Sequence, residues 1–590
     1  MQISRRTVLS SALACAFVPP ARAAAQDFDA WSEALARDIM RADPTASTFS
    51  QYLPPDEQVL LDAKLTPNTP AYRAERLTNA AKALTALKAF DRTELRGQQS
   101  CSAQLIEWTL QGQLDAAPFE DSQFVFNQFG GLHVRLVNFL SQAHPIRNAA
   151  DVSNYVSRLG QVAGQIDNGI ARAQEAQKHG FLMPRFINTA VLGQFQRFLA
   201  GEAAQNVLVA SLSERMKAAK LDDPKAVAEV ERIVSTTVIP AYKRAQALIE
   251  TQLPLSNDDA GLWRLPNGAA AYANALRRFT TTDYGPAEVH DIGLKEVARI
   301  EAQMDGLLKG LGYREGSVKQ RYAELNADSQ PKEDDPRPML LARFESILRD
   351  AQERSKLVFS NTPKAPVVVK REPLFTEKTA AAHYTSPARD GTRPGIFWAP
   401  LPGPTYNVNG MRTLVYHEAV PGHHFQIATQ QETTSLPRYR QAGIFSGGSA
   451  FAEGWALYAE QLAVENGWYE GDPKGRLGQL DAELFRARRL VVDTGLHTMK
   501  WTRQQAIDYG IEPHEVDRYV VNPGQACAYK VGQLKILEVR TKAQAMLGQK
   551  FSIQAFHKFV LEMGNLPLAV LEQEVRGWAM GMRPDTGWGK

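Results

Sequence analysis

Apolar side chains recur at helical spacing through the first half of the chain, and this periodicity limits the folds that are open to it. Segments 152–174 and 226–252 have apolar residues at intervals of three and four, the period of one face of a helix. The stretch contains no short internal repeat and no long low-complexity tract. We therefore predict a helical N-terminal lobe over residues 27–260, with a boundary near 255–267.

The second half of the chain combines helical patterns with two short strand patterns. Residues 363–370 and 395–400 are β-branched or aromatic runs bounded by Pro and Gly, which predict strands. We therefore predict a mainly α protein in which the second lobe, residues 261–590, is helical with a small β-sheet. A strand with an unpaired edge could hold an extended peptide through main-chain hydrogen bonds.

Three of the eleven histidines lie within eight residues, and this cluster indicates a metal site. The three are His417, His423 and His424, and Glu418 directly follows the first. A His-Glu pair on a helix, with a second imidazole about one turn later, supplies two neutral nitrogen ligands and a carboxylate able to deprotonate water. The combination is typical of zinc hydrolases, so Zn²⁺ is the expected cofactor.

The spacing within this cluster differs from the common H-E-x-x-H pattern. The fourth residue after His417 is Pro421, which cannot continue a regular helix, and Gly422 gives the chain freedom for a bulge or kink. A two-residue insertion would bring His423 to the second ligand position. His424 is the alternate ligand because seven residues are nearly two turns, but in an undistorted helix its backbone would lie roughly 10 Å away. We favour His423.

The helix expected after the double glycine at 447–448 offers a third protein ligand. Ser449 is its predicted N-cap, and Glu453 follows in an otherwise apolar stretch. A carboxylate on an apolar helix side is costly unless it is paired or bound to a cation. We predict that Glu453 is the third ligand. The alternatives are a buried salt bridge to an arginine near Arg486, or an exchange of roles with Glu460 on the same face.

Further residues could take part in catalysis. Asp493 and His497 share a helix face, so they could form an orienting carboxylate and an imidazole near the reacting atoms, or a surface ion pair. The Tyr529 hydroxyl could donate to an oxyanion, or its ring could pack in the core. Arg488 and Arg540 are candidates for binding a substrate carboxylate.

The N-terminus predicts export. Arg5-Arg6 precedes an apolar region and an Ala-Arg-Ala cleavage site at 21–23, which together predict a twin-arginine signal peptide over residues 1–23. The apolar run is too short to predict a membrane span. Cys15 could suggest lipidation, but Ala12 stands where a lipoprotein signal has a larger aliphatic residue. We therefore predict a periplasmic or secreted protein without a transmembrane span.

Composition agrees with a large soluble enzyme. The 590 residues are 44% hydrophobic and 22% charged, which is enough for a substantial core. Loss of the signal peptide would remove three arginines and no acid, so the formal charge of +3 would fall to zero; nothing in this balance favours nucleic acid. Cys101 and Cys527 would remain and could form one disulfide.

Four sequence blocks carry a family resemblance. They are HEAVPGHHFQ, FAEGWALYAEQL, RLVVDTGLHTMKW and NPGQACAYKVGQLKI, in this order. Together they resemble the bacterial domain of unknown function 885 family, a set of zinc metallopeptidases related to the gluzincins, over most of the chain after about residue 40. The resemblance implies a large multi-helix metallopeptidase-like fold with the small sheet near the active-site cleft. It also implies metal ligands at His417, His423 and Glu453, with Glu418 as general base.

These observations lead us to expect an exported zinc-dependent peptidase that acts on short peptides. Zinc would polarise the scissile carbonyl, and Glu418 would move the proton of the attacking water to the leaving amine; His497 and Tyr529 are the other predicted catalytic residues. One alternative is a zinc amidohydrolase acting on a non-peptide or cell-wall amide. Another is a periplasmic metal- or peptide-binding protein without turnover, although a free base beside the first ligand argues against storage alone. The sequence sets no oligomeric state.

Overall fold

Long helices make up most of the protein and confirm the mainly α prediction. The computed structural model describes residues 27–374, 377, 380–389 and 391–581. The predicted signal peptide, with Cys15, lies outside the described residues. In the ranges given, no helix has the length and apolar character that a bilayer span would need.

Eleven helices form the first half of the described chain. They are Phe28–Ala42 (α1), Pro44–Ser50 (α2), Pro55–Leu61 (α3), Pro70–Lys88 (α4), Gln98–Ala116 (α5), Leu132–Asn138 (α6), Ala149–Lys178 (α7), Arg185–Leu199 (α8), Val207–Ala218 (α9), Pro224–Ile233 (α10) and Ile239–Gln252 (α11). The first predicted segment is part of α7, whose N-cap Asn148 accepts a hydrogen bond from the Asp151 amide. The second is divided into α10 and α11 by a π-helical turn at Val234–Val238.

Fourteen helices follow in the second half of the described residues. They are Gly268–Thr280 (α12), Pro286–Gly310 (α13), Val318–Asp328 (α14), Arg337–Ser355 (α15), Met411–Glu418 (α16), His423–Glu432 (α17), Arg438–Gln441 (α18), Ser449–Glu465 (α19), Pro473–Thr498 (α20), Arg503–Asp508 (α21), Pro513–Val521 (α22), Ala528–Leu547 (α23), Ile553–Glu562 (α24) and Leu568–Ala579 (α25). Gly448 is the N-cap of α19, and Ser449 is its first helical residue. The predicted N-cap at Ser449 is therefore wrong by one position.

A three-stranded sheet precedes the helix that carries His417. Its strands are Val367–Arg371 (β1), His383–Thr385 (β2) and Gly395–Ala399 (β3), in the order β1-β3-β2. The central β3 is parallel to β1 and antiparallel to β2. Both predicted strands are present, whereas the three-residue β2 was too short to be recognised from its sequence pattern.

The hydrophobic core is divided into two large clusters and a smaller one. One large cluster combines buried residues between positions 28 and 110 with residues between 340 and 575. The other combines residues between 65 and 289 with residues between 490 and 531, and the small one joins α13, α14 and α20. Both large clusters therefore contain residues from each side of position 260, and the lobe boundary stays a prediction.

Cys101 and Cys527 are both buried and form no disulfide with each other. Cys101 belongs to the first large cluster and Cys527 to the second. The disulfide that the sequence allowed is therefore not formed.

Two glycines let α19 and α23 cross in direct backbone contact. A Cβ on Gly454 would lie 2.5 Å from the carbonyl carbon of Gly532, and a Cβ on Gly532 would lie 2.1 Å from the carbonyl oxygen of Ala450. Only glycine fits at such a distance. Because Gly454 directly follows Glu453, this crossing fixes the position of the predicted third ligand.

Candidate metal centre

The chain between His417 and His423 leaves helical geometry altogether. Helix α16 ends at Glu418 and α17 begins at His423, so the distortion that we predicted as a bulge or kink is a full break between two helices. Ala419 (φ −113°, ψ −94°) and Gly422 (φ −81°, ψ −128°) turn the chain. A Cβ on Gly422 would lie 1.9 Å from the carbonyl oxygen of His417. The link therefore folds back against the end of α16, and only glycine permits this approach.

Helix α19 holds the link in place. The indole Nε1 of Trp455, a fully buried side chain, donates a 2.9 Å hydrogen bond to the carbonyl oxygen of Pro421. Trp455 lies two residues after Glu453. The helix that supplies the predicted third ligand is thus tied directly to the segment between the two histidines.

The link brings His417, His423 and Glu453 together. One ligand atom from each lies within 4.8 Å of the other two. The Glu453 Oε2 atom is 3.5 Å from His417 Nε2 and 3.4 Å from His423 Nε2. Oε2 is buried and has no hydrogen-bond partner among the described residues. The three residues are those predicted as metal ligands.

These separations fit a tetrahedral ion better than they fit hydrogen bonds. A good N–H···O bond measures about 2.9 Å, which is well below the 3.4 and 3.5 Å found for Glu453. Two donors that each lie about 2.1 Å from zinc at the tetrahedral angle are about 3.4 Å apart. The buried carboxylate oxygen without a partner therefore suits a cation between it and the two imidazoles.

A second carboxylate orients the first histidine. His417 Nδ1 lies 2.7 Å from Glu460 Oε1, and Glu460 is 1% exposed. A hydrogen bond from Nδ1 to Glu460 fixes the tautomer in which Nε2 has a free lone pair for a metal. Glu460 thus lies on the opposite side of the imidazole from Glu453, so the two glutamates are not interchangeable as ligands.

The charges in this group shift one another's pKa. Burial disfavours the charged form of His417, but the neighbouring carboxylates of Glu453 and Glu460 outweigh burial and raise the pKa of His417 to about 9. Burial would raise the pKa of Glu453, but the neighbouring His423 and His417 hold it well below its usual range. The two imidazoles therefore keep Glu453 ionised, the form that binds a cation.

Glu418 lies beside the group without belonging to it. The residue is 6% exposed, and none of the hydrogen bonds among the described residues uses its carboxylate. Burial raises its pKa, while His417 and His423 partly oppose the shift and Arg486 does so more weakly. A free, buried carboxylate with a raised pKa is the kind of group that serves as a general base near neutral pH.

His424 turns away from the group toward the sheet. Its Nδ1 lies 2.9 Å from the hydroxyl of Tyr384 in β2, and the side chain is buried. Burial lowers the pKa of His424 to about 4, with a backbone hydrogen bond to Ala365 partly opposing the shift. The alternate ligand therefore connects α17 to the sheet.

His497 lies among structural contacts and not in the catalytic environment that we expected. Its Nδ1 accepts a 3.1 Å hydrogen bond from the Leu262 amide, and its Nε2 donates to the carbonyl oxygen of Tyr519 at 3.1 Å. Tyr272 stacks on the ring with centroids 4.8 Å apart. Asp493 accepts hydrogen bonds from Tyr272 and from the Gly524 amide, so it does not orient a catalytic imidazole.

Tyr529 keeps a free hydroxyl. It lies in the first turn of α23, its ring is 4.3 Å from the Arg489 guanidinium, and its hydroxyl has no hydrogen bond to any described residue. It remains a candidate donor. Arg488 and Arg540, by contrast, are paired with Glu301 at 2.8 Å and Glu465 at 2.7 Å, which makes neither available for a substrate carboxylate.

A buried ion network behind α23 was not predicted. Lys530, 1% exposed, contacts Glu483 at 2.7 Å and Glu296 at 2.9 Å, and Arg299 contacts both acids. Burial would raise the pKa of Glu483, but Lys530 and Arg299 lower it to about 2. The network joins α13, α20 and α23. Its partners are far apart in sequence, so only the fold reveals it.

Comparison with known proteins gives one family and a shared fold. The family profile described as "Bacterial protein of unknown function (DUF885)" matches residues 44–575. A solved structure from Colwellia psychrerythraea, described as a "putative lipoprotein", is 31% identical, with a TM-score of 0.86 over 94% of this chain and 99% of that chain. A solved structure from Shewanella oneidensis is described as a "putative lipoprotein of unknown function". It is 19% identical, with a TM-score of 0.65 over 93% of this chain and 99% of that chain. No curated protein matches the chain.

Proposed function

Since the chain belongs to the bacterial DUF885 family, whose description states no function, we propose its activity from the site itself: it is an exported zinc-dependent peptidase that hydrolyses peptide bonds of short peptides. One observation carries the proposal. A buried oxygen of Glu453 that has no hydrogen-bond partner among the described residues lies 3.5 and 3.4 Å from the Nε2 atoms of His417 and His423, which is the separation of donors around a tetrahedral ion.

The donor set suits zinc. Two neutral imidazoles and one carboxylate are the protein ligands of a catalytic zinc site, with the fourth position left for water or substrate. When bound, the ion would act as a Lewis acid and lower the pKa of a water molecule. Glu460 would hold His417 in the tautomer that binds metal, as the 2.7 Å contact with its Nδ1 indicates.

Glu418 would be the general base. Its carboxylate adjoins His417 and forms no hydrogen bond with a described residue that would occupy it. It would take the proton of the attacking water and deliver it to the leaving amine, a role worth roughly 10²–10⁴-fold in rate. The raised pKa that burial gives Glu418 makes its carboxylate a stronger base and favours the first transfer. The unpaired hydroxyl of Tyr529 is the proposed donor to the oxyanion.

The sheet favours a peptide as substrate. The Tyr384–His424 hydrogen bond ties β2 to α17, the helix that begins with His423. Strand β2 pairs with β3 on one side, and no described strand pairs with its other side. An extended peptide could add to this edge through main-chain hydrogen bonds. This geometry supports a peptide over a compact non-peptide amide.

Export is the second part of the proposal. The twin-arginine pattern at positions 5 and 6 and the cleavage pattern at 21–23 support transport to the periplasm or beyond. The description of the Colwellia psychrerythraea protein as a "putative lipoprotein" agrees with a location in the cell envelope.

Digestion of a peptide library by the zinc-loaded protein, followed by mass spectrometry, tests the activity. The wild type and Glu353→Gln, an exposed glutamate in an i,i+3 ion pair, should produce the same fragments. Glu418→Gln should keep its zinc and lose roughly 10²–10⁴-fold in rate. Cleavage by Glu418→Gln at the wild-type rate would refute the mechanism. Absence of cleavage by zinc-loaded wild type would refute the peptidase and leave the amidohydrolase or binding protein.

A further inference from the structure

A recess lined by arginines lies in a part of the fold that the metal centre does not use. Arg73 of α4, Arg135 of α6, Arg172 of α7 and Arg278 of α12 all line it, and its volume is about 280 Å³, close to the lower end of small-molecule sites at about 300 Å³. Glu120 is the one carboxylate among its lining residues. Four helices thus bring an excess of positive charge to a single concavity.

The single carboxylate is already shared. Glu120 lies 3.8 Å from Arg73, 3.7 Å from Arg172 and 3.4 Å from Arg76, which is outside the recess. Arg172 also donates to the Glu120 backbone carbonyl at 2.9 Å. Asp121, which does not line the recess, also lies 3.6 Å from Arg172. Two carboxylates therefore face the three guanidinium groups of Arg73, Arg76 and Arg172, and neither forms an ion pair with the other arginines of the recess.

Arg135 and Arg278 have no counter-ion within the part of the chain that the structure describes. Neither guanidinium forms an ion pair or a hydrogen bond with any residue in the described ranges, and Arg278 only lies over the Phe279 ring at 4.9 Å. Both residues are exposed to solvent, and both line the recess. The surrounding protein nevertheless removes part of their hydration and lowers the pKa of each, with Arg172 adding to the effect at Arg135.

The rest of the lining indicates an organic ligand. Four aromatic rings share the recess with the arginines, namely Phe119, Phe124, Phe129 and Phe279. A binding site of this kind combines apolar walls with a few charged groups that fix orientation. Arginine is the side chain best suited to bind carboxylate or phosphate in two-point fashion.

We propose that this recess binds a small organic anion with at least two oxyanion groups, carboxylate or phosphate, held by Arg135 and Arg278. The anion supplies the negative charge that Glu120 does not. The site is separate from the proposed peptidase chemistry, because none of the three metal-ligand residues lines the recess. Its test can therefore fail or succeed independently of zinc.

Isothermal titration calorimetry at constant ionic strength tests the proposal with three probes: citrate, phthalate and pyrophosphate. The wild-type protein should bind at least one with a stoichiometry of one. Binding of citrate or phthalate but not of pyrophosphate would identify a carboxylate site. Binding of pyrophosphate alone would identify a phosphate site. Arg135→Gln and Arg278→Gln should each weaken binding about tenfold or more, since a hydrogen bond to a charged group contributes about 1.5–3 kcal/mol.

Arg244→Gln is the matched control. Arg244 is an arginine of α11, 51% exposed and paired with Asp167, so its loss should leave affinity unchanged. Arg135→Lys, which keeps the charge, should retain part of the affinity. Thermal unfolding should show that each probe that binds raises the unfolding midpoint of the wild type and has less effect on the two recess variants. Binding of none of the probes, or equal affinity in Arg135→Gln, Arg278→Gln and Arg244→Gln, would overturn the proposal.

Discussion

Replacing Gly422 by alanine tests how the metal centre is built. The added Cβ would lie 1.9 Å from the carbonyl oxygen of His417 and 2.3 Å from that of Tyr416. Non-bonded heavy atoms prefer separations of about 3.5–4.0 Å, so the link would have to move by about 1.5 Å. Both contacts are backbone atoms of α16, which cannot rotate aside as a side chain could.

The stability of the fold and the affinity for zinc should both fall in Gly422→Ala. Overpacking typically costs about 1–3 kcal/mol, and the rigid surroundings put this case near the upper end, at about 3 kcal/mol. The same movement displaces His423, which directly follows Gly422. Metal–ligand distances tolerate only about 0.2 Å of error. Zinc affinity should therefore fall by at least the 10–100-fold that disturbing a ligand's supporting residue typically costs.

Zinc titration against a chromophoric chelator, together with thermal unfolding followed by circular dichroism, measures both effects. Gly306→Ala is the control: a Cβ there meets nothing within 4 Å, and the residue is inside α13. Alanine is the better helix former by about 1 kcal/mol, so this variant should keep its zinc and be slightly more stable. Wild-type zinc affinity in Gly422→Ala would refute the argument that the close approach of the link positions His423.

Three further predictions concern individual side chains. Glu460→Gln should lower zinc affinity about 10–100-fold in the same titration, because it weakens the support of His417 Nδ1; unchanged affinity would show that Glu460 does not orient the ligand. His423→Ala should lose zinc binding by orders of magnitude while His424→Ala keeps it, and the opposite order would exchange their roles. Burial lowers the pKa of His557 to about 4, below about 6.5 in the unfolded chain. The unfolded state therefore takes up the proton first, and stability is lost as the pH falls from about 6.5 toward 4. His557→Gln should reduce the stability loss between pH 7 and pH 5 by about 2 kcal/mol in denaturant titrations, and an unchanged loss would contradict this.

The residues of the candidate metal centre could be predicted because each carries a local signal. His417 and Glu418 are adjacent, Pro421 cannot sit in a regular helix turn, and Glu453 is a carboxylate in an apolar helix. These signals depend only on near neighbours in sequence. The strands β1 and β3 were predictable for the same reason, since their β-branched and aromatic runs are continuous.

The features that could not be predicted depend on contacts between residues that are distant in sequence. The partners of His497 are Leu262 and Tyr519, 235 and 22 residues away, and the spacing to Asp493 gave no hint of either. Glu460 was correctly placed on the face of Glu453, but its bond to His417 follows from how α16 and α19 cross. The complete break at 419–422 follows from Trp455 fixing the Pro421 carbonyl, which a proline rule for one helix cannot include.

Anomalous diffraction from zinc-loaded crystals, measured on both sides of the zinc absorption edge, tests the central claim most directly. The account predicts one full-occupancy peak within about 2.0–2.2 Å of His417 Nε2, His423 Nε2 and a Glu453 carboxylate oxygen. Glu418 should lie near the peak without being a ligand. A peak at His424, or no peak at the three predicted ligands, would contradict the metal centre and the proposed peptidase with it.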